Sequence, residues 1–416
     1  MSKSGGKMSK ENFREGIVTA LVVIGFVGVV FLVYKIKAYA GLDSSNMSDA
    51  EIAAAKSAIH NTLVWGGLLV GGLMGAIVQR SKFCIAAACH ARVTIGDLFQ
   101  TRSYAMSLLV AILGTQILYK MGQVDIQYSI YVSSPFTWLS YIVGGFTFGV
   151  GIVYAGGCAS RILVRTAEGD LGALVSVMAF ILTSGATLWG LLALIRVNYF
   201  NSFTLALKSQ YLPDILPAIP WWLILLALEA ILVVFMLLAP KKSEWWGWKW
   251  PLTGIGIGLT IVLAWWLNGA AHKVLPLIDS FSYTGPADPA LLQKWRPKSL
   301  TFALADAESF RYIILWTGET INFAIATVFG VLAGSLLAAL ISGTFNWVAP
   351  PLIQFRYSLV GGLLMGFGAV LALGCNIGQG LSGISTMALG SILTMTFIAL
   401  GAMAGAKFML WQVMRD

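Results

Sequence analysis

Charge is scarce in this chain. Asp, Glu, Lys and Arg make up 11% of its 416 residues, against about 25% in soluble globular proteins. A chain so poor in charge cannot furnish the surface of a soluble globular protein, and that class is excluded. Metal-binding side chains are equally few. Three histidines, His60, His90 and His272, stand at no zinc-type spacing, and the four cysteines form no C-x-x-C pair. The five-residue step from Cys84 to Cys89 does not bring the two to one face of a helix. Thiols are therefore expected rather than a local disulfide, and neither a metal site nor another cofactor is. No Cys-His-Asn or Ser-His-Asp set emerges, because His90 directly follows Cys89 and projects away from it on a helix. Hydrolytic chemistry is disfavoured, and the chain does not read as an enzyme.

Apolar sequence dominates instead: 58% hydrophobic residues, 15 Trp, 45 Gly and a mean hydropathy of +0.80. Ten runs, near 16–34, 63–79, 103–119, 137–156, 171–195, 220–239, 251–268, 320–342, 358–373 and 388–411, approach the roughly 17 to 25 residues that cross a hydrocarbon core as helix. A β-barrel would show short alternating strands. The fold class expected is an all-α polytopic membrane protein. Ala38-Tyr39-Ala40-Gly41 resembles a signal-peptidase site, but the apolar run before it is too long and Lys35 and Lys37 intervene. An anchor helix is the better reading. Lys3, Lys7, Lys10 and Arg14, then Arg80, Lys82, Arg92 and Arg102, then Arg161 and Arg165, then Lys241, Lys242 and Lys249 fall on one side if every run crosses. By the positive-inside rule that side, with both termini, is cytoplasmic. This also accounts for the net charge of +9 without nucleic acid.

The segment Gly144 to Cys158, GGFTFGVGIVYAGGC, returns 217 residues later as Gly361 to Cys375, GGLLMGFGAVLALGC, identical at 8 of 15 positions. The same offset lays Cys84 over Thr301 and Cys89 over Asp306. The chain divides into an N-terminal tail, anchor helix and loop (1–60), a first half (61–196), a linking helix with its loops (197–249) and a second half (250–416). Four segments per half and one linking helix make the shift between copies odd, so the halves are expected to be inverted, as in many secondary transporters. Four segments are too apolar for water and too short to span: 82–90, 157–168, about 299–305 and 375–388. They read as re-entrant half-helices lining a polar cavity. Gly156, Gly157 and Gly374 are expected to supply their turns without a Cβ penalty, and each cysteine to sit at a half-helix start, in its partial positive field.

Cys158 and Cys375, equivalent by duplication and preceded by glycine, lead the candidates for chemistry; Cys84 follows. Cys89, deeper in an Ala-rich turn, reads as packing. Arg161 and Arg165, one turn apart, are expected to form an anion-attracting vestibule on one side or to snorkel as anchors. Asn376, Gln379 and Ser382 beside Cys375 could hold an oxyanion without trapping it. Glu229 and Lys407 are lone charges in apolar runs, and Gly401 to Gly405 is a helix-packing G-x-x-x-G.

Three patterns, QRSKFCIAAA at 79–88, GGCASRILVRTAEGDLGA at 156–173 and the stretch around ALGCNIGQGLSGIS ending at 385, resemble the YeeE/YedE family of sulfur-transport membrane proteins. The likeness covers about 61 to 413. Its length and the RTAEG at 165–169 look more like the longer YedE branch, associated with selenium metabolism. The resemblance implies uptake of thiosulfate or a related sulfur or selenium species across a bacterial inner membrane. It maps the family's cysteine motifs onto Cys84, Cys158 and Cys375, looks for its fourth loop at RPKSLTFALAD, 296–306, and implies a TusA-like carrier inside. Cys89 stands outside this pattern. Thiol-lined sites and helix N-termini, Thr301, Gly157 and Gly374 included, would suit a dianion with one soft sulfur. Two other readings stay open: a membrane sulfurtransferase passing a persulfide, and a scaffold for a sulfur or selenium maturation complex.

Overall fold

A computed structural model describes residues 2–39, 48–86, 88–89, 99–238, 249–280 and 295–415. Each of the ten apolar runs contains a long helix among these residues, although the run 171–195 breaks at Trp189-Gly190 before a further short helix, Leu191–Asn198. The long helices are α1 (Ser2–Ala38), α2 (Asp49–Ser81), α3 (Phe99–Lys120), α4 (Trp138–Tyr154), α6 (Leu171–Leu188), α7 (Trp221–Leu238), α8 (Lys249–Ser280), α10 (Phe323–Ser342), α11 (Leu352–Leu371) and α12 (Leu389–Arg415). Of the shorter helices that interrupt the series, α5 (Ala159–Ala167) and α9 (Phe302–Ile314) bear on the site. Eight helical stretches among the described residues are long and apolar enough to cross a membrane; α3 and the 18-residue α7 complete the set. The protein is an all-α polytopic membrane protein. The 17 residues of α4 reach only about 25 Å at 1.5 Å each, short of a core of about 30 Å. The chain breaks after it and resumes as α5.

Four expected half-helices resolve differently. The second and third are α5 and α9. The fourth is a single π turn, Gly378–Gly383, in which the Ser382 amide donates to the Ile377 carbonyl at 2.9 Å. It is a correction to the expected half-helix; its three glycines weaken the α form, since glycine is the poorest α-former after proline, and long-range contacts hold the turn that forms instead. The first restarts at Ile85 after a non-helical Phe83-Cys84, but 87 and 90–98, with His90 and Arg92, lie outside the described residues, as do Lys241 and Lys242.

Packing repeats with the sequence. α2 lies against α10 and α8 against α3, so the first helix of each half packs on the other half; α4 pairs with α12 and α11 with α6. At the centre α4 crosses α11 through glycine. A Cβ on Gly144 would fall 2.8 Å from the Gly368 carbonyl oxygen, and one on Gly151 would fall 2.9 Å from that of Gly361. Gly144 and Gly361 are equivalent in the repeat, as are Gly151 and Gly368. The contact is thus self-complementary and antiparallel: the early glycine of each copy meets the late glycine of the other. Small residues let backbones approach where lipid supplies no hydrophobic drive between helices. A Cβ at Gly361 would come within 2.2 Å of the Ala155 nitrogen. Overpacking of this kind costs about 1 to 3 kcal/mol, so Gly361→Ala should lower the apparent unfolding temperature by several degrees in fluorescence-detected size exclusion. Gly16→Ala, with nothing within 4 Å of its Cβ, should not. An unchanged transition in Gly361→Ala would show that the crossing relaxes freely.

Candidate functional site

Both Gly-Cys segments follow a helix that ends in the same two-bond motif. After α4, the Gly157 amide donates to the Ile152 carbonyl at 3.0 Å and the Gly156 amide to that of Val153 at 3.1 Å. After α11, Gly374 and Leu373 do the same to Ala369 and Val370, at 2.8 and 3.2 Å. This motif needs a left-handed residue at its turn. Gly156 supplies it in the first copy (φ +69°), but Leu373 does in the second (φ 57°), not Gly374 as expected. The register of the two bonds fixes the turn at the residue before Gly374, and a leucine there costs roughly 1 to 2 kcal/mol. Gly374 and Gly157 are small for another reason. A Cβ on either would press on the side chain of Gln379 or Arg161, at 3.1 Å from its Cγ.

The chain then turns extended at Cys158 (φ −75°, ψ 172°), which caps the N-terminus of α5. Its Sγ lies beside the Cys84 thiol, with Ser160 Oγ 3.4 Å away. In the second copy the Gly378 amide donates to Cys375 Sγ at 3.4 Å, and the Phe302 amide, first in α9, also reaches it. Thr301 caps α9, and a Cβ on Gly378 would lie 2.5 Å from its hydroxyl. Cys84 therefore meets the Cys158 loop, and Thr301 meets the Cys375 loop, as the offset of 217 anticipates. All four cysteines are buried thiols, and Cys158 and Cys375 are both 0% exposed.

Two tyrosines join these pieces, and no spacing rule pointed to them. Tyr104, on α3, donates to the Asn376 carbonyl at 2.9 Å and stacks on Phe83, ring centroids 5.6 Å apart. Its hydroxyl lies within electrostatic reach of Cys158, Cys375 and Cys89. Tyr131 lies beside Thr301 and Cys375. A buried tyrosine hydroxyl must find a polar partner, and that is the signal a sequence reading could have used at Tyr104, within the first turns of an apolar helix.

The polar neighbours divide by what they already bind. Gln379 is spent on its own loop: its amide nitrogen donates to the Ala372 carbonyl and its oxygen accepts from Ser391, both at 2.6 Å. Ser382 donates to the Leu300 carbonyl at 2.7 Å. Asn376 is 0% exposed, yet neither end of its side-chain amide has a hydrogen-bond partner among the described residues. Leaving such a group unmet costs about 1 to 3 kcal/mol, which marks it as a place for a ligand's polar atoms. Glu229, also buried and unmet, lies on α7 beside α3. Lys407 is exposed on α12.

Arg161 and Arg165 line a polar cavity of about 420 Å³ with Gln79, Arg80, Lys82, Glu168, Asp170 and Thr344. They are not bare cations. Arg161 pairs with Glu168 at 3.4 Å, and Arg165 with Asp170 at 2.6 Å and the Gly156 carbonyl at 2.7 Å. Arg161 thus reaches the C-terminal end of α5, and Arg165 ties the turn before α5 to the one after it. Four cations against two carboxylates still leave the cavity positive, and Arg161 Nη1 has no hydrogen-bond partner among the described residues. The basic residues from the ends of α2 and α5 thus share one side, and Glu15 of α1 joins them by pairing with Arg80 at 2.6 Å.

A sequence profile of the sulphur transport family matches residues 80–404. The chain belongs to this family. The match begins at the last turn of α2 and spans Cys84, Cys158, Thr301 and Cys375, leaving out α1 and most of α2. Among relatives of the sulphur transport family, the thiosulfate transporter TsuA of Escherichia coli is 27% identical over 360 residues, covering 82% of this chain and 93% of its own length. The protein of the same name from Spirochaeta thermophila is 27% identical over 354 residues, covering 82% of this chain and 97% of its own. The family's shared region thus contains every element of the thiol cluster, while the α1 anchor lies outside it. Chemically the cluster offers weak S–H donors, a backbone amide at the Cys375 turn and the unmet Asn376 amide.

Proposed function

We propose that the protein imports thiosulfate, or a closely related small sulfur or selenium species, through a central pathway lined by Cys84, Cys158, Cys375 and Thr301. The observation that carries this reading is the convergence on Tyr104 of thiols from both repeats. It supports the Cys84–Cys158 pair and Cys375 acting in series, each at the turn of its own copy. Thiosulfate is a dianion with one soft sulfur, and amides at a helix start suit negative charge. Asn376 would take up its oxygen atoms. Conduction requires sites strong enough for entry and weak enough for release; thiols without a fixed cation meet both terms. The names of the two TsuA relatives support the substrate. The antiparallel crossing of α4 and α11 supports an inverted repeat, with Cys158 and Cys375 approached from opposite faces near the midplane. On this reading the basic cavity opens to the cytoplasm of a bacterial inner membrane and is the exit towards a TusA-like sulfur carrier.

Purified protein in proteoliposomes should accumulate labelled thiosulfate well above sulfate, with sulfite and selenite assayed alongside to set the substrate range. Uptake no faster than in empty vesicles would overturn the reading. A sulfurtransferase would instead move the terminal sulfur of thiosulfate onto a cysteine thiolate, forming a persulfide and releasing sulfite. Intact-mass analysis after thiosulfate exposure is therefore the discriminating measurement. The transporter reading expects no mass increase of one sulfur.

A further inference from the structure

Asp306 is 1% exposed, and neither of its carboxyl oxygens has a hydrogen-bond partner among the described residues. It lies on α9 five residues after Thr301, within electrostatic reach of Cys375, and in the repeat it occupies the position of Cys89. Its surroundings offer little to hold a charge. α6 and α10, which pack on α9, contain no titratable residue. The other two neighbours, α11 and α5, bring Arg356 and Tyr357 at the start of one and Arg161 and Arg165 on the other. Those two arginines are held by Glu168 and Asp170. On α9 itself, Glu308 is bound by Asn322 and Arg311 by Glu319, and Tyr312 lies against Trp316. An ionised carboxylate buried without a partner is so costly that the group takes up a proton instead.

We propose that Asp306 is the proton-binding site of the transport cycle, binding one proton as the anion reaches Cys375 and releasing it as the anion leaves. This rests on the reading of the protein as a thiosulfate transporter. A dianion beside Cys375 would be repelled by an ionised Asp306 across a low-dielectric gap, whereas the protonated carboxyl offers it a donor. Anion and proton occupancy are therefore mutually favourable, and such coupling is reciprocal. The energetics of import point the same way. Each negative charge moved inward works against an interior-negative potential, and one bound proton halves the net charge carried with a dianion.

The test uses the full chain in proteoliposomes with an internal pH dye and the membrane potential clamped. Wild-type protein should acidify the interior when thiosulfate is added outside, and its initial uptake should rise several-fold with an acid-outside gradient. Asp306→Asn keeps size and polarity but cannot exchange a proton. It should retain thiosulfate-for-thiosulfate exchange within a factor of a few, while losing both the acidification and the gradient response; Asp306→Glu should restore them. Glu229→Gln should leave the wild-type response intact. The proposal is overturned if wild type transports without acidification, or if Asp306→Asn keeps the wild-type pH profile. It is equally overturned if exchange and uptake fall together at every pH in both Asp306 variants, the signature of a structural carboxyl. Absence of thiosulfate exchange in wild type would instead sink the transport reading itself.

Discussion

Alanine at either Cys158 or Cys375 should cut thiosulfate uptake about tenfold or more, the cost of losing one hydrogen-bonding group worth roughly 1.5 kcal/mol. Losses in series deepen the effect, because each thiol is a separate step that the anion must pass. The protein itself should still insert and fold. Both sulfurs sit at turn starts held by backbone bonds from Gly157 to Ile152 and from Gly374 to Ala369, and those bonds do not depend on the thiols. Uptake normalised to the monodisperse protein recovered in detergent separates the two effects. Cys89→Ala should be mild, since Cys89 lies beside Tyr104 rather than at either Gly-Cys turn. Wild-type rates in both the Cys158 and Cys375 variants would return those thiols to a packing role.

Sulfate should compete poorly with thiosulfate even in large excess. A pathway that relied on Arg161, Arg165 and amide dipoles alone would treat two dianions of similar shape alike. Sulfate's oxygens are tightly hydrated, and thiols return little for the water it would lose. The terminal sulfur of thiosulfate gives up less hydration and accepts S–H contacts at smaller cost. Cys158→Ser sharpens the test, for it keeps a donor at the head of α5 while replacing a soft atom by a hard one. It should impair thiosulfate uptake severalfold and narrow the preference over sulfate. Equal competition by sulfate in wild type, or normal transport by the serine variant, would reduce the site to a generic anion funnel. The paired state of the two arginines favours the thiol account, since Glu168 and Asp170 already neutralise part of their charge.

Membrane helices were the easiest elements to read. A span must be apolar along its whole length, so composition alone located all ten, including α7, although the linking helix has no repeat partner. The half-helices were legible in place but not in form. The apolar character of 375–388 marked a segment excluded from water, yet whether three glycines in six residues would wind as α or π depends on what holds them. Ser382 is tied to Leu300, and the Asn376 carbonyl accepts from Tyr104, contacts made across the fold. The left-handed turn at Leu373 shows the same limit. Glycine marks where such a turn is cheap, but the hydrogen-bond register of the helix end decides where it falls.

Duplication, a cysteine at each copy's turn, and the equivalence of Cys84 with Thr301 are properties of the chain itself, written in residue identity and spacing. So is the odd shift between halves that anticipates an antiparallel arrangement. Tertiary structure alone decided that Tyr104 and Tyr131 close the cluster, that Gln379 braces a turn while Asn376 stands unmet, and that Arg161 and Arg165 are paired. It also set Asp306 within reach of Cys375 with no hydrogen-bond partner among the described residues. Hydrophobicity and repetition are carried by each residue's own chemistry and can be read along the chain. Whether a buried polar group is satisfied depends on atoms hundreds of residues away, and only the packed helices bring those atoms together.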